Sequence, residues 1–275
     1  MAAAGSTGHD RRAESLLAFW AEAGVDAMLL DAPVDRIAAG RTVPPRPAAR
    51  PAAPAAKPAA GASPSPDVAA RVEDARRLAA AAADIPALAA AIAGFDGCPL
   101  KFEGAARQSV FCRGSVDAPL FVIGEGPGAE EDVQGQPFVG RAGKLLDRML
   151  AAAGLSERVF ITNTVFWRPP GNRTPVLAEQ QVCAPFLERA IELISPRFLL
   201  LVGGASAKSM LRREEGILSL RGRWFEWRPA DGAREIPALP TLHPAFLLRQ
   251  PAAKKRAWSD LLTLAERLDR PERPA

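Results

Sequence analysis

Four short apolar runs, Leu120–Ile123, Val159–Thr162, Phe198–Val202 and Leu239–Leu242, recur through the chain with helical patterns between them. Each is too short for a buried helix and almost free of polar residues, which is how a strand covered on both faces reads. Strands that alternate with helices pair in parallel through crossover connections, so the sheet lies between two helical layers. The expected fold is α/β: a three-layer αβα arrangement around a short, mostly parallel four-stranded central sheet. The residues just after each run are as informative. The runs end at Gly124-Glu125, Asn163, Gly203-Gly204 and His243. In a parallel sheet these ends share one edge, so side chains far apart in sequence converge on one crevice.

The first of these ends opens the densest motif, GEGPGAEEDVQGQPFVGRAGKLL, over Gly124–Leu146. Its glycines permit sharp turns and close backbone approach to a ligand. Glu130, Glu131 and Asp132 come next, and Leu145, Leu146, Met149 and Leu150 then repeat at helical spacing. A phosphate-cradling P-loop is excluded by the missing Gly-Lys-Ser/Thr ending. No serine or cysteine sits in a nucleophile-elbow pattern.

Two side chains stand out at the other ends. The Asn163 carboxamide offers one acceptor and two donors, enough to read the edge of a base or amide. His243 is one of two histidines, and Pro244 confines it to an extended backbone. The adjoining Leu247, Leu248 and Arg249 read as a loop in which the two leucines are either buried core, the usual case, or an apolar wedge for a nucleic-acid stack with Arg249 on the phosphates. Net charge is only +4, so attraction to nucleic acid requires a local patch rather than a global field. Arg168, Arg173, Arg249, Lys254, Lys255 and Arg256 supply one around the expected crevice.

Composition divides the chain. Residues 1–43 form an N-terminal extension with a short helix near Arg11–Ala23, and residues 44–66 are a Pro/Ala-rich, semi-rigid linker. The globular domain spans 67–275. It starts with helices over Val68–Ala83 and from Pro86 to Gly94, carries a hairpin around Gly222–Arg228, and ends in a helix over Ala252–Leu268. The three cysteines are widely spaced, which fits a reducing cytoplasm better than a disulfide framework. No apolar run reaches membrane-spanning length, and a monomer is expected.

Taken in order, GEGPGAEEDVQGQPFVGRAGKLL, TNTVFWRPPGNRTP and HPAFLLR resemble the family-four uracil-DNA glycosylases over about residues 90–268. The resemblance implies hydrolysis of the bond between uracil and deoxyribose in DNA. It implies that Glu125 and Gly126 lie where the attacking water and sugar are held. Glu131 would stand beside carbon 5 of the base, Phe138 would stack on it, Asn163 would pair with its O4 and N3–H edge, and Asn172 would join the same pocket. His243 would donate to uracil O2, and Leu247, with Leu248 as the other candidate, would be the wedge that holds the gap left by the flipped base. A binding protein of the same fold with little turnover is the alternative. Members of the family usually hold a four-iron cluster on four cysteines. Here Cys98 and Cys183 match two of those positions, while Phe95 and Trp167 occupy the others. No cluster is therefore expected.

Overall fold

The computed structural model describes residues 66–270 apart from 230, 231 and 233. The expected extension helix, and all but the last residue of the linker, lie outside the described residues. Helix α1 (Pro66–Ala81) begins with Asp67 in its first turn, paired to Arg71 one turn on. Helix α2 (Ile85–Gly94) is capped by Asp84, whose carboxylate accepts from Ala87 N at 2.7 Å. The cap satisfies a backbone donor that has no partner within the helix.

The sheet has six strands rather than four, in the order β1-β3-β2-β4-β6-β5. The four expected runs are its parallel centre: β2 (Leu120–Gly124), β3 (Val159–Asn163), β4 (Phe198–Val202) and β6 (Ile236–Thr241). The additions are antiparallel edges. β1 (Arg113–Gly114) pairs with β3, and β5 (Phe225–Trp227) pairs with β6. A two-residue strand leaves no periodic trace. The expected hairpin does form, but its returning strand is β6 itself, whose start is masked in the sequence by Pro237 and Pro240.

Every residue of β2, β3 and β4 is buried, because alternate side chains enter different helical layers. Phe121 and Ile123 face a core built with α1, α2 and α5 (Leu177–Ile194). Leu120 and Val122 face the other, built with α4 (Arg141–Ala152) and α9 (Lys254–Asp269). The short helices α3 (Ala129–Gln134), α6 (Gly204–Leu211), α7 (Ile217–Leu220) and α8 (Pro244–Arg249) complete the chain order.

Two buried polar contacts fix the strand ends at the crevice edge. Ser206 Oγ of α6 donates to Ile123 O at 2.7 Å. Asp260 of α9, itself buried, accepts from Arg221 and, at 2.8 Å, from Thr241 Oγ1, two residues before His243. Isolated, such a carboxylate would be costly to bury; its cationic and hydroxyl donors offset that.

Candidate functional site

At the carboxyl ends of the parallel strands lies a cavity of about 550 Å³. It is large enough for one nucleotide-sized ligand. Glu125, Gly126, Glu131, Phe138, Asn163, Asn172, Arg173, His243 and Arg249 all line it, so the sheet edge gathers the predicted clusters in one place.

The floor is built from β2 and β3. Gly124 and Asn163 are register partners at the ends of these strands. A Cβ on Gly124 would collide with both the Asn163 carboxamide oxygen and the Phe138 ring, so only glycine lets these groups close on each other. Asn163 is buried, and no intramolecular hydrogen bond holds its carboxamide among the described residues. The amide borders the cavity instead of open solvent. Glu125 is half-buried, its carboxylate also unpaired among the described residues, while its backbone carbonyl accepts from Thr164 Oγ1 at 2.6 Å.

One wall is a folded loop clamped from within. Glu131 Oε1 accepts from Val139 N at 3.0 Å and Gly140 N at 2.9 Å, and its Oε2 accepts from Gly128 N at 3.1 Å. The carboxylate thus ties the turn after β2 to the turn before α4. Phe138 precedes the clamped amides and has φ 56°, a left-handed conformation that is a true outlier for a bulky residue. Its ring lies 5.8 Å from that of His243, tilted by 31°. Sequence reading placed Glu131 in the pocket but missed the clamp. The signal for it was present: an acid near the start of a short helix, with a glycine turn beyond it.

His243 caps α8 with an extended backbone (φ −68°, ψ 136°), as Pro244 requires. Its Nδ1 accepts the Ala245 N–H at 3.1 Å. Burial, and then the positive charge of Arg249, push its pKa down to about 4, against a weaker opposing pull from Glu131. The ring is therefore neutral at pH 7. With Nδ1 acting as an acceptor, the proton resides on Nε2.

Several expectations require correction. Leu247 is fully buried on Leu145, Leu242 and Ala257, and Leu248 packs partly on the same cluster. The segment is the helix α8 rather than an exposed loop, and helical geometry turns Leu247 inward. Leu247 thus does not stand at the surface as a wedge. Phe246 and Arg249, three residues apart on one helical face, border the cavity instead. Arg173 is not a free phosphate ligand either. Its guanidinium grips Glu179 of α5 at 2.6 and 2.9 Å and Glu103 at 3.2 Å. Burial would raise the Glu179 pKa, but the Arg173 and Val176 N–H bonds outweigh it and hold the carboxyl below its ordinary range. Asn172 sits on the exposed rim with φ 54°, its Oδ1 accepting from Arg168 Nε at 2.8 Å. Arg249, Lys254, Lys255 and Arg256 are exposed.

None of the three cysteines lines this cavity. Cys183 Sγ donates to Cys98 Sγ at 3.9 Å, both fully buried. That bond lowers the Cys98 pKa, while burial raises that of Cys183. Burial also pushes the Cys112 thiol up to about 11. A four-iron cubane requires four thiolates. Phe95 and Trp167 present rings where two would stand, so this donor set does not fit a cubane. Among the described residues no group of three or more His, Cys, Asp or Glu is placed to hold a metal. No helix among them is long and apolar enough to cross a membrane.

Comparison with known proteins bears directly on this site. The family model for the uracil DNA glycosylase superfamily matches residues 111–262, which include every cavity residue named above. The type-4 uracil-DNA glycosylase of Pyrobaculum aerophilum is 38% identical over 184 residues, covering 65% of this chain and 91% of that protein. Those of Saccharolobus solfataricus and Thermotoga maritima are 41% and 39% identical, covering 59% and 55% of this chain and 77% of each relative.

Proposed function

Because the chain belongs to the uracil-DNA glycosylase superfamily, family four, we propose that it is a DNA glycosylase. It takes deoxyuridine out of the DNA stack and hydrolyses its N-glycosidic bond, the first step of base-excision repair. A base inside a duplex is unreachable, so the nucleotide must enter the cavity extrahelically.

The observation that carries this reading is the neutral His243. When the bond between N1 and C1′ breaks, its electron pair remains on uracil, and negative charge builds on the base oxygens. An Nε2–H held in place beforehand stabilises that charge without reorganisation, an effect worth about 2.7–4 kcal/mol for a single donor of this kind. A protonated ring is not needed, and the Ala245 N–H bond to Nδ1 favours this tautomer.

Asn163 supplies base choice. Its unpaired carboxamide matches the acceptor–donor order of uracil O4 and N3–H. Cytosine presents the reverse, a mismatch worth roughly 1–3 kcal/mol. Phe138 offers a stacking face that any base can use, worth about 1–3 kcal/mol. Glu131 acts by fixed bulk: its oxygens are held by three backbone amides, so it stands rigidly where a C5 methyl would enter. Water adds to C1′ and its proton passes, through solvent, to the uracil anion, which leaves as neutral uracil; on this reading the unpaired Glu125 carboxylate orients that water. Phe246 and Arg249, at the cavity border, are the residues this reading gives to the rest of the strand, the ring for the gap in the stack and the guanidinium for a phosphate.

No iron–sulfur cluster takes part in these steps, because the donor set does not fit one. The test is release of free uracil from single- and double-stranded DNA by the wild type and by Asn163→Ala and His243→Ala. Both variants should lose excision while melting close to the wild type. Tight binding of uracil-DNA with no release by the wild type would favour a recognition protein of the same fold.

A further inference from the structure

The two missing cluster ligands leave a mechanical question: what holds the helical layer to the cavity loop in their absence. The four matching positions, Phe95, Cys98, Trp167 and Cys183, are all buried in one core. Phe95 meets Phe186 of α5 edge-on at 5.1 Å, Phe186 meets Phe166 at 6.4 Å, and Phe166 meets Trp167 at 6.3 Å. The two thiols lie in contact beside these rings. We infer that a metal-free aromatic plug centred on Phe95 and Trp167 has replaced the cluster as the cross-link that positions the cavity loop 168–176.

Three further features show that this region is closed by its own residues. First, a Cβ on Gly97 would collide with the Phe95 ring, so the ring folds back over the backbone between Phe95 and Cys98. Second, Lys101 Nζ binds Ala93 O at 2.8 Å, Phe95 O at 3.2 Å and Asp96 at 2.6 Å. A cation thereby satisfies carbonyls at and just beyond the end of α2. Third, the plug continues into the cavity wall. Trp167 immediately precedes the loop, and Arg173 in mid-loop is held by Glu179, one turn before Cys183 on α5, and by Glu103, just beyond the Lys101 segment. Loop 168–176 is thus anchored at its start by an indole and at its middle by a guanidinium, both leading back to the same helical layer. Trp167 and Phe95 are positioning residues: they touch no substrate, but they set where Asn172 and Arg173 stand.

This inference rests on the family membership, not on uracil excision, so it is tested by readouts of its own. Freshly purified full-length protein should contain less than about 0.1 iron and 0.1 sulfide per chain; about four of each would overturn the inference. The double variant Phe95→Cys/Trp167→Cys restores four thiols. Reconstituted anaerobically with ferrous iron and sulfide, it should gain the broad visible absorption of a thiolate-bound cluster, whereas the wild type under the same conditions should not. A folded double variant that stays colourless would contradict convergence of the four positions. Should that variant fail to fold, Trp167→Ala and Trp167→Phe still decide the matter. Trp167→Ala should lower Tm by about 10 °C, and raise KM for uracil-DNA more than it lowers kcat, with Trp167→Phe restoring most of both. Wild-type Tm and KM in Trp167→Ala would overturn the positioning role. If the wild type releases no uracil at all, the excision reading fails while iron content, cluster uptake and Tm still judge the plug.

Discussion

The cavity edge and the aromatic plug beneath it are built on opposite principles. At the edge, polar groups are left without partners: the Asn163 carboxamide and the Glu125 carboxylate have none among the described residues. Phe138 is held at positive φ, and burial pushes the His243 pKa well below its ordinary value. In the plug, rings meet edge-on at ordinary separations and one buried thiol donates to the other. Local rules are broken where a ligand would complete them and kept where side chains complete one another. Substitutions at the edge should therefore change activity far more than stability, and substitutions in the packed regions the reverse.

The sharpest break of that comparison is His243→Ala. It should lower kcat by about 10²–10³ with Tm nearly unchanged, measured by single-turnover uracil release and calorimetry. A large fall in Tm would instead make the histidine a packing residue. Next comes Leu247→Ala, which should destabilise by about 2–5 kcal/mol in denaturant titration. Phe246 borders the cavity and packs only partly on the cluster around Leu247, so Phe246→Ala should lower Tm less than Leu247→Ala does and depress excision from duplex more than from single strands. Equal behaviour of the two variants would erase the distinction drawn on α8.

Glu131 tests the boundary between the two regimes, since it is both wall and clamp. Glu131→Ala frees three amide donors, at about 1–3 kcal/mol for each that stays buried and unsatisfied. It should lower Tm and weaken uracil-over-thymine discrimination together. Glu131→Gln keeps the bulk and one acceptor oxygen, so it should retain discrimination better than stability. On activity, the smallest effect is in pH. A folded pKa near 4, below the ordinary 6.5, means that the stability His243 contributes is complete above about pH 6.5 and is lost as pH falls through 4. Its contribution to kcat/KM should stay flat from pH 8 to about 5, whereas a shoulder near 6.5 would show an ordinary, solvated imidazole.

The parts of this arrangement that were legible in the sequence are those written in periodicity and punctuation. Apolar runs ending at Gly124, Asn163 and His243 disclosed the parallel centre and its active edge. Edges were not legible, because a two-residue β1 has no period and the prolines of β6 conceal a strand. Leu247 was misplaced because HPAFLLR was read as a loop; as a helix, its i, i+3 pattern gives Phe246 and Arg249 to the cavity and Leu247 to the core. Arg173 was assigned to DNA because charge alone does not reveal a partner, and Glu179 is six residues away. The Asp260–Thr241 bond that steadies the His243 strand spans 19 residues and has no local signature at all.

The measurement closest to the central claim is excision itself: free uracil released from deoxyuridine-containing DNA by the purified wild type and by the Asn163→Ala/His243→Ala double variant. The wild type should release uracil, and the double variant should show no detectable release while melting within a few degrees of the wild type. A folded wild type that releases nothing, or a double variant that releases uracil at the wild-type rate, would contradict that claim.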